Sequence, residues 1–231
     1  YRAGVMDKVK QGSHRYKILV ILASILLILL FDHLGLFERM NHHLYDLSFR
    51  LRGPLPPSKD ILLVEIHEET LKKLGRWPLR RIHYSSLLEA VKQAEVVVLD
   101  VTLPESTEDD SLLARSIEKH GRVILPVYID NQMNLISPAP TLRSFYRTGH
   151  VHLEQGLDGI VRDVYHTLVH QKGAIPSISS VAYEVVSRSS FQRVPPPPSD
   201  KSGDGILQAD RMRINYCGPP GTCEKVFFPM S

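Results

Sequence analysis

The sequence predicts an α/β domain, a mostly parallel sheet covered by helices with an added hairpin, preceded by one transmembrane helix. Three observations predict it. An uncharged apolar run from Ile18 to Phe31 follows a basic tail. Strand-like apolar runs at 61–66, 96–101 and 123–128 alternate with helical stretches. An Asp158-Gly159 turn signal separates two further strand-like segments.

The chain has 231 residues, of which 43% are hydrophobic and 23% charged. That balance is ordinary for a globular protein and excludes a disordered, collagen-like or polytopic membrane chain. The net charge is +3, but residues 1–17 carry Arg2, Lys8, Lys10, Arg15 and Lys17 against Asp7 alone. The tail is therefore +4 and the remaining residues sum to −1. The basic character is local, so no nucleic-acid partner is expected.

Residues 18–37, interrupted only by Asp32 and His33, span about 30 Å as a helix, the thickness of a bilayer core. Asp32 and His33 then fall near one interface, where charge is tolerated. No Ala-x-Ala cleavage pattern follows, so the run reads as a signal anchor with the membrane as its partner. The positive-inside rule places the tail 1–17 in the cytoplasm and residues 38–231 outside, on the cell (inner) membrane.

Residues 38–52 read as a continuing helix, with Met40, Leu44, Leu47 and Leu51 in one apolar stripe. The stripe fits a stalk that pairs with a second copy as a homodimer. It equally fits an amphipathic helix lying on its own domain. Gly53-Pro54-Leu55-Pro56-Pro57 ends the helix and opens a domain over 53–231.

Within that domain, 61–66 reads as a buried strand, 68–74 as a helical turn ending at Gly75, and 80–94 as a helix. A strand at 96–101, a helix at 108–120 closed by Gly121, and a strand at 123–128 follow. Pro126 argues against a central position late in that last strand. Residues 130–148 read as irregular. Strands at 150–153 and 161–170 flank the turn at 155–159, and 176–186 reads as a helix. Residues 194–205, with four consecutive prolines, read as a surface loop, and 211–216 as a final strand. The first residue is Tyr1 and no terminating element precedes Ser231, which reads as a piece of a longer protein.

A parallel sheet offers ligands the carboxyl ends of its strands. Those ends supply His67 and Glu68, Asp100, and Tyr128 to Asp130, and nearby loops add Arg76, Trp77, Arg80 and Arg81. An aromatic ring, cations and carboxylates are the lining of a polar small-molecule pocket. The alternative is that Trp77 packs a loop and Arg80 starts a helix in solvent. Asp100, Glu105, Asp109 and Asp110 form the densest acidic cluster, in which Asp109 or Asp110 could bind a hard cation with Asp100, although Glu108 to Asp110 also suit the positive end of the following helix. Of eleven histidines, His150 and His152 fall on one strand face and His166 and His170 on another. They could hold zinc or respond to external acidity. Cys217 and Cys223 enclose a short turn-rich loop and would form a disulfide if exported. No phosphate loop, nucleophile elbow or His-Glu-x-x-His motif occurs, and no cofactor or catalytic residue is indicated.

Several ordered blocks resemble the type-2 CHASE family of extracellular sensor domains associated with cyclases and histidine kinases. They are Tyr45-Asp46-Leu-Ser-Phe-Arg-Leu-Arg-Gly53, Ile61 to Ile66, Glu68 to Leu71, Leu74-Gly75-Arg76-Trp77-Pro78-Leu79-Arg80, and Asp100 after the second strand. Asp110 to Ala114, Asp158-Gly159-Ile-Val-Arg162, Pro176-Ser177 and Ile214-Asn215-Tyr216 complete the set. One departure stands out: His67 occupies a position after the first strand where the family usually has Asp. The resemblance implies a non-catalytic sensory domain answering an unidentified small molecule or physical cue. It also implies a downstream cytoplasmic output outside this chain: a nucleotide cyclase, a cyclic-dinucleotide enzyme or a kinase. Two other classes compete, a membrane-tethered metal-dependent hydrolase built on the Asp100 cluster and a purely structural dimerisation module.

Overall fold

A computed structural model describes residues 2–142, 145–156, 158–170, 173–189, 207–219, 222 and 225–227. For 2–15, 207–210 and 225–227 the description is of the backbone. The chain divides into two compact units, Tyr1–Ser58 with Tyr216–Cys223, and Lys59–Asn215 with Glu224–Ser231.

The first unit is built on two helices, α1 (Arg2–His33) and α2 (Leu36–Arg52). The apolar window Tyr16–His33 is long and apolar enough to cross a membrane. The expected continuous helix is interrupted, because Gly35 adopts φ 63°, a left-handed conformation that glycine enters without a Cβ penalty. α2 ends where expected, with the Gly53 N–H closing onto the Phe49 carbonyl. Met40, Leu44, Leu47 and Leu51 are exposed along its length. His42, Tyr45, Asp46 and Phe49, on other positions of the same helix, are partly buried.

The second unit is mixed α/β, and the expectation of a mostly parallel sheet is corrected. Strands β2 (Val97–Val98), β3 (Val123–Ile129) and β5 (Tyr146–His150) are parallel, but β4 (Leu135–Ile136) returns antiparallel on β3. The first strand, β1 (Leu63–Glu65), pairs in parallel with β10 (Lys225–Phe227) instead of with β2. A separate sheet of β6 (Leu153–Gln155), β7 (Val161–His170), β8 (Gly173–Pro176) and β9 (Leu207–Arg213) is wholly antiparallel. The cause is connection length. The long segments between β2 and β3 and between β3 and β5 leave room for parallel crossovers, whereas the short links after β3, β6 and β7 make hairpins. The expected polyproline loop lies outside the described residues.

Pro126 sits in the middle of β3 and is buried. The Arg122 and Ile124 carbonyls accept from Val97 and Leu99, so the even-numbered backbone of β3 faces β2. That pairing ends at Ile124, and the β4 pairing begins at Tyr128. The missing N–H of Pro126 falls in the gap between the two partners, where no ladder bond is lost.

Helices α3 (Glu68–Leu74) and α5 (Asp110–His120) follow the expected segments closely, whereas α4 (Arg81–Ala90) ends four residues before the expected end at 94. Tyr84 and Leu88 of α4 and Leu113 and Ile117 of α5 recur one turn apart and bury against Val123 and Leu125 of β3. Helix α6 (Ile178–Ser187) starts at Ser177, whose hydroxyl accepts from the Ser180 N–H. Gly149 of β5 admits that start, because a Cβ there would lie 2.4 Å from the Ile178 Cα.

Candidate functional site

Helices α4 and α5 begin side by side. Arg80 Nε and Nη2 donate to the two Asp109 oxygens at 2.9 and 3.1 Å. Arg81 Nε donates to Asp110 Oδ1 at 3.0 Å, and its Nη2 donates to the Glu105 carbonyl at 2.8 Å. Asp110 also accepts from the Thr107 N–H and hydroxyl and from the Thr141 hydroxyl. Burial pushes the Asp110 carboxyl up, but these hydrogen bonds outweigh it and hold its pKa below the ordinary value. Arg81 stands in the first turn of α4, where a cation opposes the helix dipole, and Asp110 compensates it. The Arg-Arg and Asp-Asp doublets were visible in the sequence, but nothing in the sequence linked them.

The sequence-predicted ligand residues lie at the start of α3, in the loop before α4, just beyond β2 and on β3. His67 precedes α3, its N–H reaching Thr70 Oγ1 at 3.4 Å and its Nδ1 the same oxygen at 2.9 Å. It thus stands where an Asp would be a favoured N-cap, which gives the departure from the family pattern a structural setting. Its Nε2 lies 3.7 Å from Glu69. Glu68 opens α3 and is exposed. Arg76 and Trp77 are exposed in the loop before α4, Trp77 at 52%. Arg80 is drawn to Asp109. Asp100 is exposed just beyond β2, and Tyr128 is half-buried opposite Ile136.

The expected metal residues likewise have other settings. Asp110 is enclosed by Arg81, Thr107 and Thr141. His150 ends β5 and His152 lies beyond it, so the two do not share a strand. Among the described residues no group of three or more His, Cys, Asp or Glu comes together to hold a metal. His166 Nδ1 bonds the Ser180 hydroxyl at 3.0 Å, and His170 Nε2 bonds the Met133 carbonyl at 3.0 Å. These contacts tie β7 to α6 and to the β3–β4 turn. His150 is 3% exposed. Burial, then the neighbouring His152, lowers its pKa to about 4, and neither ring nitrogen has a hydrogen-bond partner among the described residues. Cys217 is exposed, and Cys223 lies outside the described residues.

The antiparallel sheet carries a charged network that the sequence reading missed. Arg211 Nη2 donates to Asp163 Oδ2 at 2.5 Å, and Arg213 Nε lies 3.7 Å from Oδ1. The Tyr165 hydroxyl donates to Glu154, and burial together with that contact raises its pKa to about 12. Register explains the grouping: Asp163 is opposite Arg213, Tyr165 opposite Arg211, and Glu154 opposite Asp163.

No curated protein and no solved structure gives a significant match to the chain. The model of the CHASE2 domain matches residues 20–229, nearly the whole chain. That family comprises extracellular sensory domains found in signalling receptors. The match extends from the apolar helix through the strands of all three sheets, and the chain belongs to the CHASE2 domain family.

Proposed function

We propose that this chain is the signal-input part of a membrane receptor. Residues 18–37 anchor it, 1–17 face the cytoplasm, and the body from 53 onward senses a small molecule or physical cue outside. A downstream cyclase, cyclic-dinucleotide enzyme or kinase would carry the output. The observation that supports this most is the family match running unbroken from the apolar helix into the body. The homodimer seam is α2, whose exposed Met40, Leu44, Leu47 and Leu51 recur at coiled-coil a/d spacing. Anchored copies necessarily present their stalks in parallel. In the oxidising compartment Cys217 and Cys223 close a disulfide.

Topology is the direct test. With Cys217 and Cys223 replaced by Ser, single cysteines at Ser13 and Ser86 are challenged with a membrane-impermeant maleimide on intact spheroplasts. The expected result is labelling at position 86 and none at position 13 until lysis. Equal labelling of both, or labelling of position 13 alone, overturns the reading. Mass spectrometry of non-reduced wild-type protein decides the disulfide.

A further inference from the structure

β5 ends against the start of α6, and the residue at that point is His150. It pairs with Ser177, the N-cap of α6, in an isolated parallel bridge, and with Val127 on β3. Its neighbour Gly149 meets Ile178 so closely that strand and helix touch backbone to backbone. His150 is 3% exposed, and neither ring nitrogen has a hydrogen-bond partner among the described residues. Buried polar groups are ordinarily bonded, as His166 is to Ser180 and His170 to the Met133 carbonyl.

The surroundings give a charged imidazole nothing to pair with. On its own segment, His152 disfavours a second charge, and Arg147 is of opposite parity on β5 and so on its other face. β3 contributes Val127, with Tyr128 alternating away from it. From β7 comes His166, already bonded to the Ser180 hydroxyl. Asp163 and Tyr165 are of opposite parity to His166 and lie on the other face of β7, with Arg211 and Glu154. α6 carries one carboxylate, Glu184, about 10 Å along the helix from Ser177. The start of α6 is itself the positive end of the helix dipole. No metal-ligating set gathers at His150 among the described residues, so the chemistry left to it is that of a proton site.

We infer that external acid is a cue this domain answers, and that a proton on His150 opens the seam between β5 and the start of α6. Burial, His152 and the helix end all oppose the imidazolium, so water must reach the ring. It does so by parting Ser177 and Ile178 from Gly149 and His150, while the α5 core of Leu113 and Ile117 stays packed. This deepens the sensory reading by naming its cue, and it rests on that reading for its purpose.

Hydrogen–deuterium exchange on the full chain in detergent micelles reads the opening, with each rate divided by the intrinsic rate at its pH. The reporters are the Ser177 N–H, bonded to the His166 carbonyl at 2.7 Å, and the Val181 N–H, bonded to the Ser177 carbonyl at 3.1 Å. From about pH 7.5 to about pH 4.5 their exchange should rise roughly seventyfold, the factor by which an ordinary imidazole in the open seam takes up protons ahead of the closed one. The Leu99 N–H, bonded to the Ile124 carbonyl, should not follow. His150→Leu and His150→Gln should each abolish the rise, and either one suffices if the other fails to fold. No rise in wild type overturns the switch, and so does an equal rise at Leu99, which marks general unfolding. A rise that survives replacement of His150, or that is lost in His152→Gln or His166→Gln instead, also overturns it. The maleimide experiment reads the side of the membrane and not protonation, so the acid switch and the sensory topology fail separately.

Discussion

Arg81 and Asp110 form a buried ion pair, Nε to Oδ1 at 3.0 Å, with side chains only 6% and 2% exposed. It joins the first turns of two neighbouring helices whose inner faces build the core. Removing one partner leaves the other charge buried and uncompensated. Arg81→Met or Asp110→Leu alone should each cost about 3–5 kcal/mol in chemical denaturation. The double variant should cost clearly less than either single one, since Thr107 and Thr141 are exposed enough for water to replace the carboxylate. Additive losses would contradict this coupling.

Acid should weaken the fold through His150. Its folded pKa is about 4 and its unfolded value 6.5. Between those values the unfolded chain binds a proton that the folded chain refuses, so stability is full above pH 6.5 and falls as pH drops toward 4. The loss across that window is about 3 kcal/mol. His150→Leu should flatten the denaturation-midpoint profile between pH 6.5 and 4 relative to wild type.

Gly149 is the narrowest point between β5 and α6. Ala there would drive its Cβ onto the Ile178 and Ser177 backbone, at 2.4 to 2.9 Å. The helix start must move, and the expected cost is about 1–3 kcal/mol. Ser177→Ala removes the cap from the same helix start and should cost about 1 kcal/mol. Thermal melts of the two variants should keep that order.

The same glycine shows why part of the fold was hidden in the sequence. β5 reads Tyr-Arg-Thr-Gly-His, with no apolar run, because one position is reserved for a close helix contact and another is a buried histidine. Residues 130–148 therefore looked irregular, although they contain β4, a 3-10 turn at Pro140–Leu142 and most of β5. By contrast, α3 and α5 were legible almost to the residue, since Gly75 and Gly121 stop them and their apolar residues recur at helical spacing. The sheet order was not legible: β1 has the apolar pattern of a strand beside β2, yet its partner is 162 residues away, Leu63 opposite Lys225. The site residues fared similarly. Arg80 and Asp110 were singled out for a ligand and a metal, and the partners that claim them come from loops and helices distant in sequence.

The seam on α2 makes the last prediction. Leu44 and Leu47 are 60% and 46% exposed, and they face away from the Phe49–Tyr216 contact. If a second copy covers them, charge at the centre of the stripe opposes association while leaving each chain's own packing intact. Leu44→Glu with Leu47→Glu should shift the chain in detergent micelles from dimer to monomer in sedimentation analysis. Each burial lost removes roughly 1.5–3 kcal/mol of apolar stabilisation per side chain, and two facing Glu pairs add repulsion. Exchange at β7 should not change, because the stripe is not part of that sheet's unit. Asn41→Ala and Ser48→Ala, which flank the stripe, should leave the dimer in place. A double Glu variant that stays dimeric would place the seam elsewhere and make the exposed stripe a surface for the lipid headgroup region instead.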